Sequence, residues 1–90
     1  MEDKRIRILK ALAHSERLKI IEMLKKEPTC VCEMNEKSNF SQSNISQHLK
    51  ILRDADLVKY TKDGNKVIYS LANEKLMEVI NLITKISNEL

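Results

Sequence analysis

One glycine and one proline in ninety residues leave this chain few places to reverse direction. An all-β fold needs a turn every eight to twelve residues or so, and those turns draw heavily on both residue types. The chain must therefore be mostly helical, with its few breaks carried by polar residues. Ninety residues make one domain, and a core this small is marginal unless a partner adds buried surface. With 42% hydrophobic and 32% charged residues, neither disorder nor a membrane span is indicated. The opening "MEDKRIRILK" mixes charges and holds no apolar run suited to a signal peptide, so the expected compartment is the cytoplasm and no membrane partner is expected.

Periodicity places the elements. "DKRIRILKALA" reads as a helix over about 3–13, with Ile6, Leu9, Leu12 and Ala13 on one face. His14 or Ser15 can cap a second helix, about 15–26, burying Leu18, Ile21 and Leu24 with Ile20 beside them. Pro28 ends it, because a proline pushes the preceding residue out of helical geometry. Thr29 is then the expected cap of a short helix over about 30–37, containing Val31 and Met34. A tight turn at Asn39 and a cap at Ser41 lead into a helix over about 41–55, where Ile45, Leu49 and Leu52 make the buried stripe. From 57 to 71 the period becomes two: Val58 and Tyr60, then Val67, Tyr69 and Leu71, with Asp63-Gly64 between the runs as a hairpin signal. A last helix spans about 73–89, its stripe of Leu76, Val79, Ile83, Ile86 and Leu90 widened by Met77, Ile80 and Leu82.

The formal charge of +3 permits nucleic-acid binding without showing it. The polar face of the fourth helix says more. Gln42, Ser43, Ser46, Gln47 and Lys50 include no carboxylate, whereas a merely solvated face usually carries some. Gln bonds base edges bidentately, Ser bonds bases or phosphates, and Lys adds charge. Two short helices with a three-residue turn, a polar-faced second helix and a hairpin tipped by Lys62, Asn65 and Lys66 compose a winged helix-turn-helix. In that module the second helix enters the major groove of double-stranded DNA and the wing lies along phosphates. The fold class expected is mainly α with a small β-hairpin, forming one domain over 1–90. The apolar stripe of the last helix exceeds what so small a core can cover, which argues for a homodimer over a helix folded onto its own core.

The segments "LKALAHSERLKIIEML", "CVCEM", "SQSNISQHLKILRDADLV" and "GNKVIYSL" resemble the arsenical-resistance repressor (ArsR/SmtB) family of transcriptional regulators. The likeness runs from about Ile8 to Leu71 by motif. It implies a homodimer paired through the first and last helices, with recognition helices in successive major grooves of a palindromic operator. It also implies a repressor that effector binding releases.

Cys30 and Cys32 are the only cysteines. A close pair in a reducing compartment points to a metal, metalloid or redox site rather than a structural disulfide. Thiolates select thiophilic ions, and a position in the first helical turn favours the thiolate. The "CVC" segment matches the one that family members use to sense arsenite or soft metals, so the inducer expected is arsenite, antimonite or another thiophilic ion, with no permanently bound cofactor. On a regular helix, residues two apart project about 200° from each other, so capture by both sulfurs is expected to unwind the turn. Oxidation of the pair to sulfenate or disulfide is an open alternative, as are two small buried hydrophobes.

Three departures from the family pattern matter. A third cysteine found in some members is Asn35 here, and the last helix has no histidine or cysteine for a zinc site. Asp56 also stands where a glycine is frequent, a cost if the backbone there is left-handed. A thiol enzyme using Cys30 or Cys32 with His14 or His48 is a remote alternative, since no phosphate loop or carboxylate cluster accompanies them. His14 reads as a cap and His48 as a packing residue, so no enzyme is expected.

Overall fold

The computed structural model describes residues 3–38 and 42–90, with the side chains of residues 37, 38, 42 and 43 outside the described set. Among the described residues the elements run in the order α1 (Lys4–Leu12), α2 (Ser15–Lys26), β1 (Thr29–Cys30), α3 (Val31–Ser38), α4 (Gln42–Asp54), β2 (Val58–Asp63), β3 (Lys66–Leu71) and α5 (Lys75–Glu89). The expected turn at Asn39 and cap at Ser41 lie outside the described residues.

Capping decides where the first helices begin. Asp3 accepts a hydrogen bond from the Arg5 amide at 2.8 Å and so starts α1. His14, not Ser15, caps α2: its Nδ1 accepts from the Glu16 amide at 3.2 Å. Arg17, one turn into α2, donates to the carbonyls of Ala11 at 2.6 Å and Lys10 at 3.2 Å. Those oxygens belong to the end of α1, where helical carbonyls lack internal donors. A single guanidinium thus pins α1 to α2.

The core gathers Ile20, Ile21 and Leu24 of α2, Met34 of α3, and Ile45, Leu49 and Leu52 of α4, closed by Leu57, Val58, Tyr69, Leu76 and Ile80. The α4 stripe is the one its spacing predicts. On α1 the outcome differs: Leu12 is buried together with Ala11, while Ile6 and Leu9 remain 44% and 55% exposed and Ala13 is exposed. On α5 only Leu76 and Ile80 are buried, and Val79, Leu82, Ile83, Ile86 and Leu90 face outward. The small core has room for one side of each terminal helix and no more.

Two features depart from the sequence reading. The hairpin gains a third strand, in the order β1-β3-β2, because Thr29 pairs with Tyr69 and Cys30 with Ile68. Thr29 is therefore a buried strand residue and no helix cap, with its hydroxyl donating to the Glu27 carbonyl at 2.9 Å. Cys30 likewise belongs to a strand, and α3 begins at Val31. Within the hairpin, Asp63 ends β2 opposite Lys66, so the two turn residues are Gly64 and Asn65. Gly64 has φ 62°, the conformation a tight hairpin requires at that position.

The end of α4 fixes how the wing leaves the helix. Leu57 donates its amide to the Leu52 carbonyl at 3.0 Å, and Asp56 donates to Arg53 at 2.9 Å. This pair of bonds is a Schellman motif, and it places Asp56 at the left-handed position with φ 61°. Leu57 and Leu52, the two residues that the motif brings together, are both buried.

Candidate nucleic-acid interface and dithiol cleft

The residues expected to contact DNA fall in two groups. Ser46, Gln47 and Lys50 are exposed on α4, opposite the buried stripe. The side chains of Gln42 and Ser43, one turn earlier, lie outside the described set. Lys62, Asn65 and Lys66 are exposed around the tip of the wing. Lys50 also reaches Asp54 at 3.2 Å, an exposed pair four residues apart that contributes little to stability and leaves the ammonium available.

Between these groups lies a cleft of about 600 Å³ whose walls come from β1, α3, α4, β3 and the hairpin turn. Both cysteines line it, facing Ser46 and Lys50 of the helix and Asn65 and Lys66 of the wing. In the structure Cys30 and Cys32 are joined as a disulfide. Their Cα atoms are 5.3 Å apart, within the ordinary span for such a bond. The premise behind the expected unwinding of a helical turn does not hold. That expectation assumed two helical residues. Cys30 is extended, so its side chain swings toward Cys32 while α3 stays intact. Cys30 takes the cap position of α3, its Sγ accepting from the Cys32 amide at 3.3 Å. An N–H at a helix start favours anionic sulfur.

The cleft is strongly cationic. Lys50, Arg53 and Lys66 line it, and among the described residues no carboxylate does. Arg53 had no signal in the sequence beyond lying three residues after Lys50. It donates to the Tyr69 hydroxyl at 3.3 Å and sits over the Tyr60 ring at 5.4 Å. Since Tyr60 belongs to β2 and Tyr69 to β3, this one guanidinium ties the base of the wing to α4.

The histidines do not join the cysteines. His14 and His48 pack ring against ring with centroids 4.6 Å apart, and neither lines the cleft. Glu16 approaches His14 at 2.8 Å, and Arg17 approaches His48 at 3.3 Å. His48 is held below the ordinary imidazole range first by burial, then by the charges of His14 and Arg17. The group joins α2 to α4, which is a packing role for His48 and a capping role for His14. No cysteine–histidine nucleophile pair is assembled among these residues. Nor is any helix of the described residues long and apolar enough to cross a membrane.

A helical core presenting a polar-faced helix, followed directly by a β-hairpin with basic residues at its tip, defines a winged helix-turn-helix DNA-binding regulator. Residues 14–60 match the family model for bacterial regulatory proteins of the arsR family. The chain is 42% identical over 73 residues to an arsenical resistance operon repressor of Staphylococcus aureus, covering 81% of this chain and 70% of that one. The structure of HlyU from Vibrio cholerae superposes with a TM-score of 0.83 at 35% identity, covering 96% of this chain and 97% of that one. A homodimeric winged helix-turn-helix domain, Mb0332 from Mycobacterium bovis, superposes with a TM-score of 0.88 at 25% identity over 97% of this chain and 81% of that one. The protein belongs to the arsR family of transcriptional regulators, and it is not an enzyme.

Proposed function

We propose that this protein is a homodimeric repressor that binds a palindromic operator and is released when a thiophilic metalloid or metal ion, arsenite first among them, binds Cys30 and Cys32. The observation that carries this reading is the shared cleft. The two sulfurs converge on a space whose other walls, Lys50 on α4 and Lys66 on the wing, are residues expected to contact DNA.

That arrangement supplies the switch. DNA binding needs α4 and the wing at a set separation, since one reads the groove and the other follows phosphates. An ion held by both sulfurs sits in the gap between them. It changes the cleft's shape and the balance of charge beside Lys50, Arg53 and Lys66. An ion that prefers the rearranged cleft must lower DNA affinity by the same factor that DNA lowers affinity for the ion. The coarse chemistry fits: soft donors, a cationic setting that favours thiolate, and an open approach.

The outward faces of α1 and α5 support the dimer. Ile6 and Leu9 on the first helix, with Val79, Leu82, Ile83 and Ile86 on the last, are large apolar groups left uncovered by the protomer. The Mycobacterium bovis domain of the same fold is itself homodimeric. Together these favour pairing through the two terminal helices.

One observation favours a second reading. The pair closes as a disulfide within an intact fold, so reversible oxidation could operate the same cleft with no ion at all. One titration separates the two. Reduced protein is bound to duplex DNA from upstream of its own gene, then exposed to arsenite under strict reduction, or to a mild disulfide oxidant without arsenite. Release by arsenite alone supports ion sensing, and release by oxidant alone supports the redox reading. A Cys30→Ser/Cys32→Ser variant should bind the DNA and ignore both; release of that variant by arsenite would place the sensor elsewhere.

A further inference from the structure

Asn35 stands one turn beyond Cys32 on α3, where residues three apart share a helix face, and it lines the same cleft as both sulfurs. Its Oδ1 is buried and, among the described residues, has no hydrogen-bond partner. Leaving a buried acceptor unsatisfied costs about 1–3 kcal/mol, and folded proteins leave few such atoms. Potential donors lie along the same walls, on Lys50, Arg53 and Lys66, yet none of them bonds this oxygen. An unmet acceptor beside a two-sulfur site calls for a donor that arrives with the ligand.

We propose, resting on the dithiol reading above, that Asn35 selects the form of the bound metalloid by accepting a hydrogen bond from a hydroxyl that the metalloid retains. Trivalent arsenite carries three hydroxyls. Reaction with the two thiols breaks two As–O bonds and forms two As–S bonds. The thiol protons leave with the displaced hydroxyls as two waters, and the oxidation state of arsenic does not change. The third As–OH survives because no third thiol is present, and an amide oxygen is too weak a ligand to displace it from a thiophilic centre. That surviving hydroxyl is the donor Asn35 lacks. A trivalent arsenical with a carbon substituent in the third place also satisfies both sulfurs, but it brings an apolar group against Oδ1 and leaves the acceptor unmet. A site built to bond a hydroxyl discriminates against the analogue without one.

The test uses the full chain, reduced and freed of reductant without air, titrated calorimetrically with arsenite and with phenylarsine oxide. Phenylarsine oxide needs only the two thiols, so its binding checks the dithiol reading by itself. Replacing Asn35→Leu, close to isosteric, should weaken arsenite about five- to tenfold, the loss of one ordinary hydrogen bond, while phenylarsine oxide binds as well or better. X-ray absorption at the arsenic edge should show two sulfurs and one oxygen in the wild type, and three sulfurs in Asn35→Cys. An unchanged ratio of the two affinities in Asn35→Leu would overturn the role of Asn35 and leave the dithiol site standing. Failure of the wild type to bind either compound would overturn both. If Asn35→Leu fails to fold, Asn35→Cys decides: an arsenic centre still bound by two sulfurs and one oxygen would show that position 35 does not reach the ligand.

Discussion

Asp56 carries a measurable cost, and relieving it should stabilise the protein. Its φ of 61° is the left-handed value that the Schellman end of α4 imposes. An L-residue pays roughly 1–2 kcal/mol for that conformation, with Asp near the low end because its short polar side chain tolerates it. Asp56 also sets a carboxylate at the negative end of a helix, a further cost of about 0.3 kcal/mol. Asp56→Gly removes both terms. Against them stands the larger freedom that glycine gives the unfolded chain, about 0.5–1 kcal/mol. The side chain is exposed, so little contact is lost. The net expectation is about 0.5–1 kcal/mol of added stability, or roughly 2–8 °C in Tm for a domain of this size. Urea and thermal melts at equal protomer concentration would measure it. Asp56→Asn, which removes only the charge, should fall between Gly and Asp, and Asp56→Ala should fall below Asp. A variant series in which Ala equals or exceeds Gly would refute the argument from backbone geometry.

Other expectations rest on separate features. His48 binds its proton less readily when folded than when unfolded, so the unfolded chain holds more protons between the two pKa values. Stability should therefore decline as pH falls below about 6.5, and His48→Gln should flatten that part of the profile; equal slopes for both proteins in urea melts between pH 7.5 and 5.5 would contradict it. Gln47→Ala should cost about 1–3 kcal/mol on the preferred operator and relax its sequence preference, whereas Lys66→Ala should weaken all duplexes alike and shallow the salt dependence by about one counterion per contact. Binding curves at several salt concentrations distinguish the two. If the proposed pairing runs through α5, Ile86→Lys should leave only monomer in sedimentation and reduce operator affinity with it; an unaltered oligomeric state would move the interface off α5.

Much of the architecture could be read from spacing alone. Ile45, Leu49 and Leu52 face the core because 3.6 residues per turn puts them on one side of α4, and the same arithmetic leaves Ser46, Gln47 and Lys50 in solvent. The single glycine marks the wing for a similar reason, as the residue a tight turn tolerates best. These are properties of a few adjacent residues, and the covalent chain carries them into any fold. Strand β1 was out of reach: two residues have no period, and their partners Ile68 and Tyr69 lie far along the sequence. On that pairing depend the extended form of Cys30, the convergence of the sulfurs and the intact start of α3. Likewise, nothing in the order of residues shows that Asn35, Arg53 and Lys66 border one cleft with the cysteines. The chain by itself determined a helical DNA-reading module carrying a reactive pair. Only tertiary packing, which brings distant segments together to bury a common core, decided that the pair lines the cleft between α4 and the wing.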